Sequence, residues 1–301
     1  MRLEALTAGI GAEANAFSGA VHSVFVRAGN IALESGKLLG LVASELGAVP
    51  CGFQLATPSG FSFLEHVRIG ARASCRGGLL RIDNSALSID LRPARPWRSG
   101  LGELAIDLAD PETAGAWHRV WAAMAEHGGA SGFARAAALP IADLCRAARA
   151  RRGRDVAPAI TRLVGLGEGL TPAGDDFLVG FLAGQWSTVG ASESGRAFAA
   201  TLAMSIARAA TATNAISRSY LEAAAAGEVA EPLAFLAQCL GRGDAGRAVI
   251  AARLTLSVGA SSGAAGVCGL LLGVRAGTGD AATPLQPDIR YLAEGTNARR
   301  L

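Results

Sequence analysis

The densest concentration of chemistry in the chain is the run Gly165-Leu-Gly-Glu-Gly-Leu-Thr-Pro-Ala-Gly-Asp-Asp176. Glycines at 165, 167 and 169 free the backbone for positive φ and for close approach to a bound group. Thr171 reads as the N-cap and Pro172 as the first residue of a following helix, with Gly174 in its first turn. Free amides and the positive dipole end at such a helix start suit a small anion. Gly165, Gly167, Gly169, Leu170, Thr171 and Gly174 are therefore candidate ligand contacts. Asp175 and Asp176 lie about 100° apart on a helix, so one faces the turn while the other faces solvent or a neighbouring helix. Their chemistry is open at this level. They either stabilise the helix dipole, or hold a substrate amide, orient a cation or move a proton in an apolar setting. No cofactor is expected, although two carboxylates are also compatible with a magnesium site. The plainest alternative is a tight turn packed between helices.

The glycine spacing departs from the dinucleotide fingerprint, even though Thr161 to Val164 before it reads as a short strand, and no Gly-Lys-Ser/Thr is present to make a P-loop. Thr213 and Ser217 are one helical turn apart and would share a face. Ser261 and Ser262 precede Gly263 and can cap a helix or touch a ligand. His22, within Val21 to Phe25, has strand alternation and no local partner for a triad. Gly174, Gly180 and Gly184 recur 89 positions later as Gly263, Gly269 and Gly273. Two glycine-marked helix N-termini would then face one site about a pseudo-twofold axis, or the match is a chance of glycine-rich composition.

The elements that position these residues divide the chain of 301 residues into an α+β protein. A β-rich domain over 1–106 is expected to form an antiparallel sheet or small barrel, with strands near 20–26, 38–42, 52–55, 67–69 and 79–91. An α-helical domain over 107–301 is expected to hold helices near 112–126, 140–152, 173–188, 194–226, 231–240, 244–258 and 262–274. The formal charge of +3 comes from 28 basic residues, all arginine except Lys37. Arginine-rich 146–154 reads as a solvated helix end, so no nucleic-acid partner is expected. Five scattered cysteines fit a reduced, cytoplasmic protein, and four histidines show no zinc-type spacing. No apolar run reaches membrane-spanning length, and neither export nor membrane insertion is expected.

The motif at 165–176, with Val-His-Ser-Val-Phe at 21–25, the hydroxyls Thr213 and Ser217, and Ala-Ser-Ser-Gly at 260–263, resembles the bacterial family containing the third subunit of oxamate carbamoyltransferase. The resemblance covers most of the chain. It implies transfer of a carbamoyl group between oxalurate and phosphate, giving oxamate and carbamoyl phosphate in purine and allantoin breakdown, with other subunits sharing the chemistry. Glu168, Ala173 and Ala260 stand where that family's pattern has proline, serine and histidine. Such a transfer passes through a tetrahedral oxyanion and needs preorganised donors. Arg218 or a partner subunit would supply the missing positive charge, and Asp175 or Asp176 would orient the amide or accept a proton. A non-catalytic assembly subunit and a magnesium-dependent hydrolase of a phosphorylated small molecule are the competing readings.

Overall fold

The computed structural model describes residues 1–127, 131–190, 192–259 and 261–278, the side chains of 131–134 excepted. The chain falls into two compact units, Met1–Ser99 and Gly100–Leu301.

The first unit is a barrel-like sheet. Its strands are β1 (Arg2–Gly9), β2 (Ala16–Val24), β3 (Ala28–Leu33), β4 (Leu38–Ala43), β5 (Gly52–Leu55), β6 (Arg72–Arg76), β7 (Leu79–Ile82), β8 (Ser88–Asp90) and β9 (Arg95–Trp97). The order is β5-β4-β3-β2-β6-β7-β8-β1-β9, and pairing of β1 with β5 closes the first eight into a ring. Closure removes the open edges that would otherwise invite pairing with other chains. The sheet is mixed, not purely antiparallel, because β4–β5, β1–β8 and β1–β9 run parallel. Alternation along the strands sends Leu3, Ile31, Leu39, Leu41, Phe53, Leu55, Leu80 and Ile89 into one core. The strand expected at 67–69 is absent. That stretch follows the one-turn helix α1 (Phe63–His66), and Val67 alone is buried there, with Arg68 and Ile69 exposed.

The second unit is helical: α2 (Pro111–His127), α3 (Ser131–Arg149), α4 (Ala157–Leu163), α5 (Ala173–Thr188), α6 (Glu193–Ala209), α7 (Ala215–Ala225), α8 (Glu231–Gly241), α9 (Ala245–Leu256) and α10 (Ser262–Gly277). Thr161 to Leu163 belong to α4, which corrects the strand expected there; Pro158, in the first turn, starts the helix rather than breaking it. Helix α3 runs through Pro140 rather than starting at it. The helix expected at 194–226 is two helices, interrupted by a 3-10 turn at Ala210–Ala212 and restarted by Asn214 as N-cap of α7. Every residue of α10 from Gly263 to Ala276 is buried, and α5 is buried on nearly all sides. Helices apolar all round belong in the centre of a bundle, and these two form it. No described helix is long and apolar enough to cross a membrane.

Candidate functional site

Helix α4 ends at Leu163, and the chain turns through Gly165, Gly167 and Gly169 at φ of 72°, 115° and 102° before α5 begins. All three glycines therefore use the left-handed region, as the motif requires. Gly165 and the stretch from Gly167 to Leu170 are exposed. Helix α5 runs over the expected 173–188, but its N-cap lies one residue later than expected. Pro172 occupies the N-cap position, which has no side-chain cap, and Thr171 instead places its hydroxyl oxygen 2.8 Å from that of Ser262. The first-turn amides are less free than the sequence suggests. Gly174 donates to the Leu166 carbonyl, and Asp175 and Asp176 donate to the Pro172 carbonyl.

The two aspartates have different tasks. Asp175 is 1% exposed. One carboxylate oxygen accepts the Gly165 amide at 2.8 Å, and the other accepts the Thr213 hydroxyl at 2.6 Å. It ties the start of the loop to the segment before α7. Thr213→Val should accordingly cost about 1.5–3 kcal/mol, the range for a hydrogen bond to a buried charge, with Thr213→Ser close to wild type in urea unfolding.

Asp176 is only partly buried as a residue, yet its Oδ2 is shielded from solvent and has no hydrogen-bond partner. Burial pushes its carboxyl up from the ordinary value of 3.8 to about 7, with the Asp175 charge adding to the rise. The Ser262 and Thr171 hydroxyls oppose that rise without cancelling it. An acid poised near neutrality beside two hydroxyls is equipped to give and take protons.

Thr213 and Ser217 do not share a helical face. Thr213 precedes α7 in an extended conformation, and Ser217 lies in its first turn. The sequence reading overlooked Asn214, whose side-chain oxygen accepts the Ile216 and Ser217 amides while its Nδ2 donates to the Leu170 carbonyl at 2.9 Å. Thr-Asn ahead of Ala-Ile-Ser is an N-cap signature, and it was available in the sequence. The Ser217 hydroxyl is buried and unpartnered, as is Asp176 Oδ2, and these are the two such side-chain atoms among the described residues. Buried polar atoms without partners are rare enough to mark a site. Arg218 directs its guanidinium at the carbonyls of Ala210, Thr211 and Thr213, so it holds the helix break rather than facing the motif.

The glycine repeat corresponds to a real two-helix contact. A Cβ on Gly180 would fall 2.0 Å from the Gly266 carbonyl oxygen, and one on Gly269 would fall 2.1 Å from that of Phe177. Gly184 and Gly273 meet Leu270 and Phe181 with the same reciprocity. Each contact maps onto its counterpart under the 89-residue offset, so α5 and α10 run in the same direction as a pseudo-twofold pair. Their N-termini consequently lie at one end, joined by Thr171 and Ser262. Ser261 stands at the N-cap of α10 without a capping bond, and the Gly263 amide donates to the Val258 carbonyl. Ala260 lies outside the described residues.

His22 is exposed on β2 in the first unit, with Nδ1 3.2 Å from the Ser23 hydroxyl. Among the described residues no group of three His, Cys, Asp or Glu side chains forms a metal-ligand cluster.

Two family models match the chain. One, described as the N-terminal domain of the AllH family, matches residues 4–96, and the other, described as oxamate carbamoyltransferase subunit AllH, matches residues 163–274. No curated protein and no solved structure matches it. The second match spans both glycine helices, the 165–176 loop and the Thr213 segment, and with the first it covers most of the chain: the protein belongs to the AllH family of oxamate carbamoyltransferase subunits.

Proposed function

We propose that this chain supplies the acid–base group for carbamoyl transfer between oxalurate and phosphate, working in a complex with other subunits. The observation that carries the reading is Asp176, a carboxyl held near neutrality with one oxygen shielded and unpartnered. In the transfer, a phosphate oxygen attacks the carbamoyl carbon and the bond from that carbon to the oxamate nitrogen breaks. The proton carried by hydrogen phosphate must end on that nitrogen, which leaves as an amide. A carboxyl titrating near 7 can accept the first proton and donate to the second position without a large mismatch in either direction. The Thr171 and Ser262 hydroxyls and the exposed amides of Gly167 and Gly169 are the donors for the oxyanion and phosphate. With Arg218 turned to backbone carbonyls, the balancing cation comes from a partner subunit. The scheme uses no metal, so a chelator should leave turnover unchanged.

A second reading rests on the exposed loop: Leu170 is 57% exposed, which suits a contact with another subunit. Thermal shift of the purified chain separates the two. Carbamoyl phosphate or oxalurate at ~100 times its dissociation constant should add about 2.7 kcal/mol to stability. Asp176→Asn should lose that gain while still assembling with its partner subunits. Retained ligand stabilisation together with failed assembly would instead make the loop a docking element.

A further inference from the structure

A second charged feature lies away from the 165–176 loop. Residues 100–301 carry 18 arginines and 18 carboxylates, so this part of the chain is neutral as a whole. The stretch 143–162 nevertheless holds six arginines against two aspartates. The fold brings three of these six arginines to one cleft, while Arg146 and Arg162 pair with Asp143. Arg151, Arg152 and Arg154, from the turn between α3 and α4, line a cleft of about 540 Å³ with Arg208 from the last turn of α6, and Asp155 is the only carboxylate among its lining residues. The volume lies within the range of small-molecule sites.

Three features make this more than a solvated helix end. Arg152, Arg154 and Arg208 form no ion pair among the described residues, and Asp155 is the one carboxylate lining the cleft against them. Arg151 adopts φ of 49°, a left-handed position usually left to glycine at a helix end, and its guanidinium is hydrogen-bonded to the Ser194 hydroxyl at the start of α6. The turn is pressed against α6, since a Cβ on Gly153 would lie 2.7 Å from the Thr201 methyl carbon. The arginines are thus presented by two packed elements around one concavity.

We infer that this cleft is a binding site for a ligand carrying a diphosphate group, distinct from the proposed carbamoyl-transfer site. Guanidinium forks match phosphate oxygens two at a time, and several of them around one cleft favour a ligand of several negative charges over a single carboxylate. A nucleoside diphosphate and a non-nucleotide diphosphate share this chemistry.

Isothermal titration of the full chain with pyrophosphate, phosphate and ADP at low salt tests the inference. Pyrophosphate is expected to bind more tightly than phosphate, with Arg152→Ala and Arg208→Ala each weakening it roughly tenfold as a charge-assisted hydrogen bond is lost. Both are exposed side chains, so circular dichroism should show an unchanged fold. Asp176→Asn should leave pyrophosphate affinity intact, which separates this site from the other. Equal affinity for ADP and pyrophosphate assigns the site to the diphosphate alone, and tighter ADP binding assigns it to a nucleotide. Absence of pyrophosphate binding, or binding indifferent to both arginine substitutions, would overturn the inference. So would substitutions that spare pyrophosphate but abolish association with partner subunits, which would make the cleft a docking surface.

Discussion

Asp176→Asn is expected to stabilise the protein at alkaline pH while removing its activity. The folded-state carboxyl titrates at about 7 instead of 3.8, so the folded protein holds this proton more tightly than the unfolded chain does. The favourable contribution is therefore complete below the unfolded value and is lost as pH rises through about 7. Above that point the ionised carboxylate sits in a shielded position at a cost on the order of 4 kcal/mol, from the displacement of its titration. Asparagine has nearly the same shape and no charge to bury. Urea unfolding should find the variant close to wild type at about pH 4, and more stable by up to ~4 kcal/mol at about pH 8. Parallel stability curves across that interval would show that Asp176 titrates like an ordinary surface carboxylate. The gain in stability and the loss of function would have one origin, since a carboxyl with one shielded, unpartnered oxygen costs stability for the sake of chemistry.

The second large effect concerns the centre of the helical unit. Gly269→Ala places a methyl group 2.1 Å from the Phe177 carbonyl oxygen and 2.8 Å from the Phe181 nitrogen. Both obstacles are backbone, so neither can swing aside, and α5 and α10 must separate. Overpacking of a core typically costs 1–3 kcal/mol; here about 3 kcal/mol or more is expected, because the clash is with a helix backbone. Gly180→Ala should behave alike, with its obstacle at 2.0 Å. Gly115→Ala in α2 is the control. It is exposed and a Cβ there meets nothing within 4 Å, so helix propensity alone should add about 0.5–1 kcal/mol. Chemical denaturation of the three variants would decide the matter, and mild effects at positions 180 and 269 would contradict the close backbone packing.

Much of the site was legible because its signals are local. Glycines at alternate positions pointed to the left-handed turn, and the repeat at an offset of 89 pointed either to paired helices or to a chance of glycine-rich composition. Roles that depend on distant residues were not. Nothing near Asp175 in sequence shows that Thr213, 38 positions away, would donate to one of its oxygens. The break between α6 and α7 was hidden by strong helix formers on either side, although Thr213-Asn214 carried a capping signature within them. In the barrel, alternation identified strands but not their directions. Two of the three parallel pairs join β1 to the chain-distant β8 and β9, with Leu3 opposite Ile89, and the antiparallel pair that closes the ring sets Ala5 opposite Leu55. That register is set by closure of the ring, which no short window of sequence contains.

The most direct test of the central claim is the pH dependence of oxamate formation from oxalurate and phosphate in the complex assembled from this chain and its partner subunits. Across about pH 5 to 9, kcat/KM should bend near 7, the value to which Asp176 is raised, and the bend should vanish with nearly all turnover in Asp176→Asn. An Asp176→Asn complex that turns over at the wild-type rate with an unchanged profile would show that the proton is moved by another group and that this carboxyl has no part in the transfer.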